Sequence, residues 1–145
     1  MSADVHAQGL RSALSAGTAY WGLMFILGFV MGTVRTMLVA DAPGGGRILG
    51  VLLELPIMLT ASWFLCSFAI RRFHVPTTLG ARALMGGLAF ALLLLAELVV
   101  GALLFGRSAS EHFALYQEAS YAVGLAAQIG FALMPSVQLW RRGVS

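Results

Sequence analysis

The chain has 145 residues, 59% hydrophobic and 10% charged, with a formal net charge of +3. A soluble domain carries about 25% charged residues, so this composition cannot cover a water-facing surface and excludes an ordinary soluble protein. All nine basic residues are arginines, most of them at or within apolar runs, with no basic, aromatic-interleaved stripe, which excludes nucleic acid as a partner.

Residues 1–18 read as a small-residue polar leader with Asp4, His6 and Arg11. Residues 19–40 form the first apolar run, interrupted by Arg35. Ala40-Asp41-Ala42 has the small-x-small pattern of a cleavage site, but the run exceeds the roughly 7–15 residues of a signal-peptide core and contains an arginine, so a retained span is expected. Asp41 to Arg47, with Pro43 and three glycines, reads as a tight turn. Gly44-Gly45-Gly46 lacks the Lys-Ser/Thr of a phosphate loop.

The second run, 48–70, contains Glu54 and Pro56 and closes on Arg71-Arg72. Pro56 cannot donate the backbone bond normally made to Leu52, which predicts a kink. Ser62 and Thr60 are expected to bond back to their own helix. A connection with His74, Pro76 and Arg82 leads to the third run, 83–105, broken only by Glu97. In the longest connection, Ser108 to Glu111 has capping-box spacing, and Phe113 and Tyr116 predict a short interfacial helix. The fourth run, 119–140, holds Gln128 and Pro135 and ends at Arg141-Arg142.

A run of about 20 apolar residues crosses a bilayer core. The sequence therefore predicts an all-α integral membrane protein, a four-helix transmembrane bundle running up-down-up-down, with one membrane domain over 19–145. Arg11, Arg71, Arg72, Arg82, Arg141 and Arg142 share one side, against Arg47 and Arg107 on the other. The positive-inside rule then places both termini in the cytoplasm. Tyr20, Trp21 and Trp140 would form the inner aromatic belt. The Arg-only, Ala- and Gly-rich composition points to a bacterial inner (plasma) membrane.

The polar side chains share a depth. At about 1.5 Å per residue, Arg35, Glu54, Glu97 and Gln128 all fall roughly 7–13 Å below the outer surface. Glycines accompany them: Gly28 and Gly32 with Arg35, Gly101 with Glu97, and Gly124 with Gln128, each on one helical face. Such small-residue seams let helices approach closely. A charge in the membrane costs about 2.5–3.5 kcal/mol, so an Arg35–Glu54 ion pair is expected. One arginine then faces two glutamates, and either Glu97 carries a proton or an external cation shares the site. Gln128 is expected to join a glutamate to Arg35 or water.

No histidine lies in a run, which excludes haem or zinc ligation by histidine inside the membrane; His112 is expected on a solvated surface. The lone Cys66 excludes an internal disulfide and a Cys-rich metal site. No nucleophile–base pairing is visible, so no enzyme, cofactor or metal is expected. In size and span count the chain is similar to small multidrug resistance exporters, four-span proteins that work as dimers around a membrane glutamate. That family's carboxylate belongs to the first span, where this chain has Arg35, and no residue carries over.

Two functions stay open. The favoured one is a non-enzymatic accessory or assembly subunit, in a homo-oligomer or a larger membrane complex. The alternative is a small proton- or cation-linked transporter, or a lipid- or quinone-like ligand-binding protein, using Glu54 and Glu97.

Overall fold

The computed structural model describes residues 2–39 and 46–143. In order these form α1 (Ser2–Val39), α2 (Gly46–Arg72), α3 (Leu79–Phe105), a short α4 (Ala109–Ala114) continued by a 3₁₀ turn (Leu115–Gln117), and α5 (Ala119–Gly143). Among the described residues there is no strand. Four of the helices are long and apolar enough to cross a membrane, over Asp4–Leu38, Ile48–Arg72, Leu79–Phe105 and Ala119–Arg141. They indicate a multi-pass membrane protein. The expected 41–47 turn and the small-x-small site fall mostly on residues 40–45, outside the described residues.

The helices overrun the apolar runs, most of all at the amino terminus. There the expected polar leader is helical from Ser2 and continuous with the first span. Its packing face is made of small residues: Ala13 and Ala16 are fully buried, and a Cβ on Gly17 would lie 2.8 Å from the Met85 carbonyl oxygen. Without side-chain bulk, α1 lies directly on the α3 backbone.

The close backbone packings are of α1 on α2 and α3, and of α5 on α2 and α3. Consecutive helices α2 and α3 make no close backbone approach. The buried residues Ala13, Ala16, Tyr20, Met24, Cys66, Ala69, Ile70, Met85, Ala89 and Phe131 come from the first two-thirds of α1, the first half of α3, the second half of α2 and the middle of α5. One end of the protein is therefore tightly packed. The long helices turn many large apolar side chains outward, Leu38, Leu53, Leu103 and Trp140 among them.

Between membrane helices, lipid is as apolar as leucine, so hydrogen bonds and close fit decide which faces meet. Pro135, buried within α5, has no N–H for the Phe131 carbonyl four residues earlier. Tyr20 supplies the missing donor: its hydroxyl reaches the Phe131 oxygen at 3.2 Å, pairs with the Ser62 hydroxyl, and its ring stacks on Phe131 at 4.3 Å. Tyr20 is thus fully buried and not part of an aromatic belt, and Ser62 bonds across to α1 instead of back to its own helix. Tyr20→Phe, which strands both oxygens, is expected to destabilise the protein by about 1–3 kcal/mol. Thermal unfolding in detergent should show the loss, and an unchanged midpoint would remove the Tyr20 hydroxyl from this account.

A second buried amide lies near the same end. Gln138 donates to the Trp63 carbonyl at 2.8 Å and accepts from the Ser67 hydroxyl at 3.0 Å, tying α5 to α2. The polar groups therefore do not all share one slab, as the depth argument implied. Arg82 is also turned inward. It is buried, with Nε donating to the Pro76 carbonyl at 3.1 Å and Nη2 to Val75 at 3.4 Å, and so holds the α2–α3 connection. His74 takes the left-handed conformation there (φ 52°) and lets the chain turn back after α2.

Candidate functional site

Toward the other end the helices part around a cavity of about 590 Å³, within the range of about 300–1,000 Å³ typical of small-ligand sites. Met24, Ser62 and Phe131 line it at the packed end, and Arg107, His112 and Ser120 at the far end. Glu54 and Ser62 are eight residues apart on α2, about 12 Å along the axis. Phe25, Phe29, Met58 and Leu93 supply apolar wall between these levels. A separate groove of about 470 Å³, between Leu23, Ile26, Val30, Ala61 and Phe64, is wholly apolar and offers nothing to orient a ligand.

Arg35, Glu54, Glu97 and Gln128 all line the larger cavity. They are joined as two separate pairs. Arg35 Nη1 donates to Glu54 Oε2 at 2.7 Å, from α1 to α2. Gly50 makes this possible, because a Cβ there would lie 2.8 Å from Arg35 Cδ; the guanidinium stem lies across the bare α2 backbone. On the other side, Gln128 Nε2 donates to Glu97 Oε1, and the Tyr116 hydroxyl donates to Glu97 Oε2 at 3.3 Å. The expected bond from Gln128 to Arg35 is not formed. α1 and α5 meet through Tyr20 and Phe131 at the packed end, and at the level of these pairs the cavity stands between them.

The accompanying glycines take different places from a helix seam. Gly28, Gly32 and Gly124 line the cavity. A Cβ on Gly124 would meet nothing within 4 Å, and one on Gly32 only the Arg35 guanidinium at 3.9 Å. The missing side chains of Gly32 and Gly124 keep the space open instead of seating a neighbouring helix, whereas Gly28 faces Met58 of α2, whose Cε would lie 3.4 Å from a Cβ there. Gly101 seats His112, since a Cβ there would lie 2.9 Å from His112 Nδ1. Pro56 is exposed, α2 stays helical through it, and it is not among the cavity-lining residues.

The α3–α5 connection caps the cavity. Gly106, in the left-handed conformation (φ 63°), ends α3, and Ser108 begins α4 with a full capping box to Glu111. The Ser108 hydrogen bonds hold the exposed Glu111 carboxyl below the usual carboxylate range. This turn folds His112 inward, so it is buried at 8% exposure and not solvated as expected. His112 packs edge-on against Tyr116. Burial, and then the Glu97 carboxylate, push the Tyr116 phenol up to about 12, so it serves as a proton-bearing donor.

No family model, curated protein or solved structure matches the chain. Chemistry must come from the cavity itself. Among the described residues no three of His, Cys, Asp and Glu converge as a metal site. Among the described residues three buried side-chain polar atoms lack a partner: Trp21 Nε1, which is not at the cavity, His112 Nδ1 and Gln128 Oε1. His112 and Gln128 both line this cavity. Unpaired buried polar groups cost about 1–3 kcal/mol each, and two of the three belong to residues of this cavity.

Proposed function

We propose that this is a small multi-pass protein of a bacterial inner membrane that binds an amphiphilic small molecule in its central cavity. The four long helices would form a transmembrane bundle, up-down-up-down, with both termini in the cytoplasm. Arginine placement supports that orientation: with Arg82 turned inward, Arg11, Arg71, Arg72, Arg141 and Arg142 still outweigh Arg47 and Arg107. The cavity then lies in the outer half of the membrane, and the Arg35–Glu54 pair becomes an intramembrane ion pair. The single observation that carries the reading is an apolar-walled cavity with Arg35, Glu54, Glu97 and Gln128 set into its wall.

A helper subunit working through its helix faces is the second reading. Ala122 and Ala126 are exposed on α5, a small-residue face that a second copy or a larger membrane complex could approach closely. Mild-detergent purification distinguishes it by a stoichiometric partner.

The test of ligand binding uses a photoreactive alkyl alcohol and the full chain in zwitterionic nanodiscs. Labelling should concentrate on cavity residues such as Leu93 and Phe131. Gly124→Phe, whose ring enters the open space, should lower that labelling at least tenfold with the melting temperature retained. Labelling spread evenly over the lipid-facing surface of both proteins would end the proposal.

A further inference from the structure

Charge and hydrogen-bond accounting in the cavity specify the head group of its ligand. Arg35 is taken by Glu54 at 2.7 Å. Among the described residues the hydrogen-bond partners of Glu97 are neutral, the Gln128 amide and the Tyr116 hydroxyl. Arg107, at the far end, lies over the Phe105 ring and acts on Glu111. Both Glu97 oxygens accept a hydrogen bond, the arrangement of an ionised carboxylate, and a carboxylate in an apolar setting requires a counter-charge.

The Gln128 amide decides between head groups. Its nitrogen is committed to Glu97, and its Oε1 is buried with no donor. The two groups thus present an anionic acceptor and a neutral acceptor side by side. A carboxylate or phosphate head would meet only acceptors and repulsion there. A hydroxyl could satisfy one acceptor but not the charge. A quaternary ammonium would balance the charge but bring no N–H to Oε1. A protonated amine does both. The aromatic wall adds ring faces that attract a cation, Phe25, Phe29 and Phe131 among them.

We infer that the cavity takes a lipophilic amine in its protonated form, the ammonium N–H groups donated to the Glu97 carboxylate and Gln128 Oε1 and the apolar body lying along the aromatic wall. This rests on the cavity being a ligand site. The test compares photoreactive alkyl probes of identical body carrying a primary ammonium, trimethylammonium, hydroxyl or carboxylate head, each applied to the full chain in zwitterionic nanodiscs. The primary ammonium probe should label the cavity at least tenfold more than any other, and Glu97→Gln should erase that preference. Equal labelling by the ammonium and hydroxyl probes, or a preference for trimethylammonium or carboxylate, would overturn the amine assignment while leaving the cavity as a ligand site. Absence of cavity labelling by all four would overturn both. The head-group ranking is read on the unaltered protein, so it stands even if Glu97→Gln does not fold; a ranking that survives in a folded Glu97→Gln would also overturn the assignment.

Discussion

Arg35→Ala is expected to destabilise the protein by about 2–3 kcal/mol and to lower its abundance in the membrane several-fold. Removing one member of a buried ion pair costs about 3–5 kcal/mol. Here the side chains are 28% and 17% exposed, which brings the figure below that range. The loss has two parts. Glu54 is left without its guanidinium, and the arginine stem vacates the α2 surface that Gly50 keeps clear. Glu54→Arg should be worse than Arg35→Ala, because it sets two guanidinium groups against each other. Exchanging the charges, with Arg35→Glu and Glu54→Arg together, should recover most of the stability. Thermal unfolding in detergent and quantification of membrane-inserted protein measure all four forms. A double variant no better than the worse single one would remove the direct pairing, as would single variants that melt like the parent.

The Arg35–Glu54 contact was legible in the sequence because the physics behind it is one-dimensional. A charge within an apolar run needs a partner, and depth along a helix follows from residue count. The same reasoning brought Glu97 near Gln128. Lateral order is not encoded that way. Because α1 and α5 face each other across the cavity, the expected single network divides into two pairs. Nothing in local spacing reveals that α2 and α3, joined by a short connection, make no close backbone approach.

Other features carry weaker signals in the sequence. Ala13, Ala16 and Tyr20 have helical spacing and announce that the leader packs on a neighbour. Pro135 announces a free carbonyl at Phe131, the counterpart of the argument made for Pro56 and Leu52, and Tyr20 is the donor that meets it. Gln138 lies close to the end of the apolar run, where an amide passes as an interfacial residue, although it is buried. His112 could not be placed from sequence. Its burial depends on the turn at Gly106 and on the bare face of Gly101, two elements that meet only after folding.

Adjacent glycines on α3 should respond in opposite directions to the same substitution. Gly86→Ala places a Cβ 2.0 Å from the Ala132 carbonyl oxygen and 3.1 Å from its carbon, with the Pro135 ring 3.5 Å away. The obstruction is backbone, which cannot rotate aside as a side chain end can, so α3 and α5 have to separate. Overpacking of this kind costs about 1–3 kcal/mol, and a backbone obstruction belongs at the upper end. Gly87→Ala meets nothing within 4 Å on an exposed face; there alanine removes only the helical penalty of glycine and should stabilise by about 0.5–1 kcal/mol. Composition and hydropathy are identical in the two variants, so their separation in melting temperature isolates the contact. The separation should also reach the Tyr20 layer, because Phe131 is next to Ala132 on α5 and moves with it. Gly86→Ala combined with Tyr20→Phe should therefore fall short of the summed losses, since an already displaced Phe131 carbonyl has less to lose. If Gly86→Ala melts with Gly87→Ala, α3 and α5 are not in backbone contact, and the tight end of the protein is held by side chains alone.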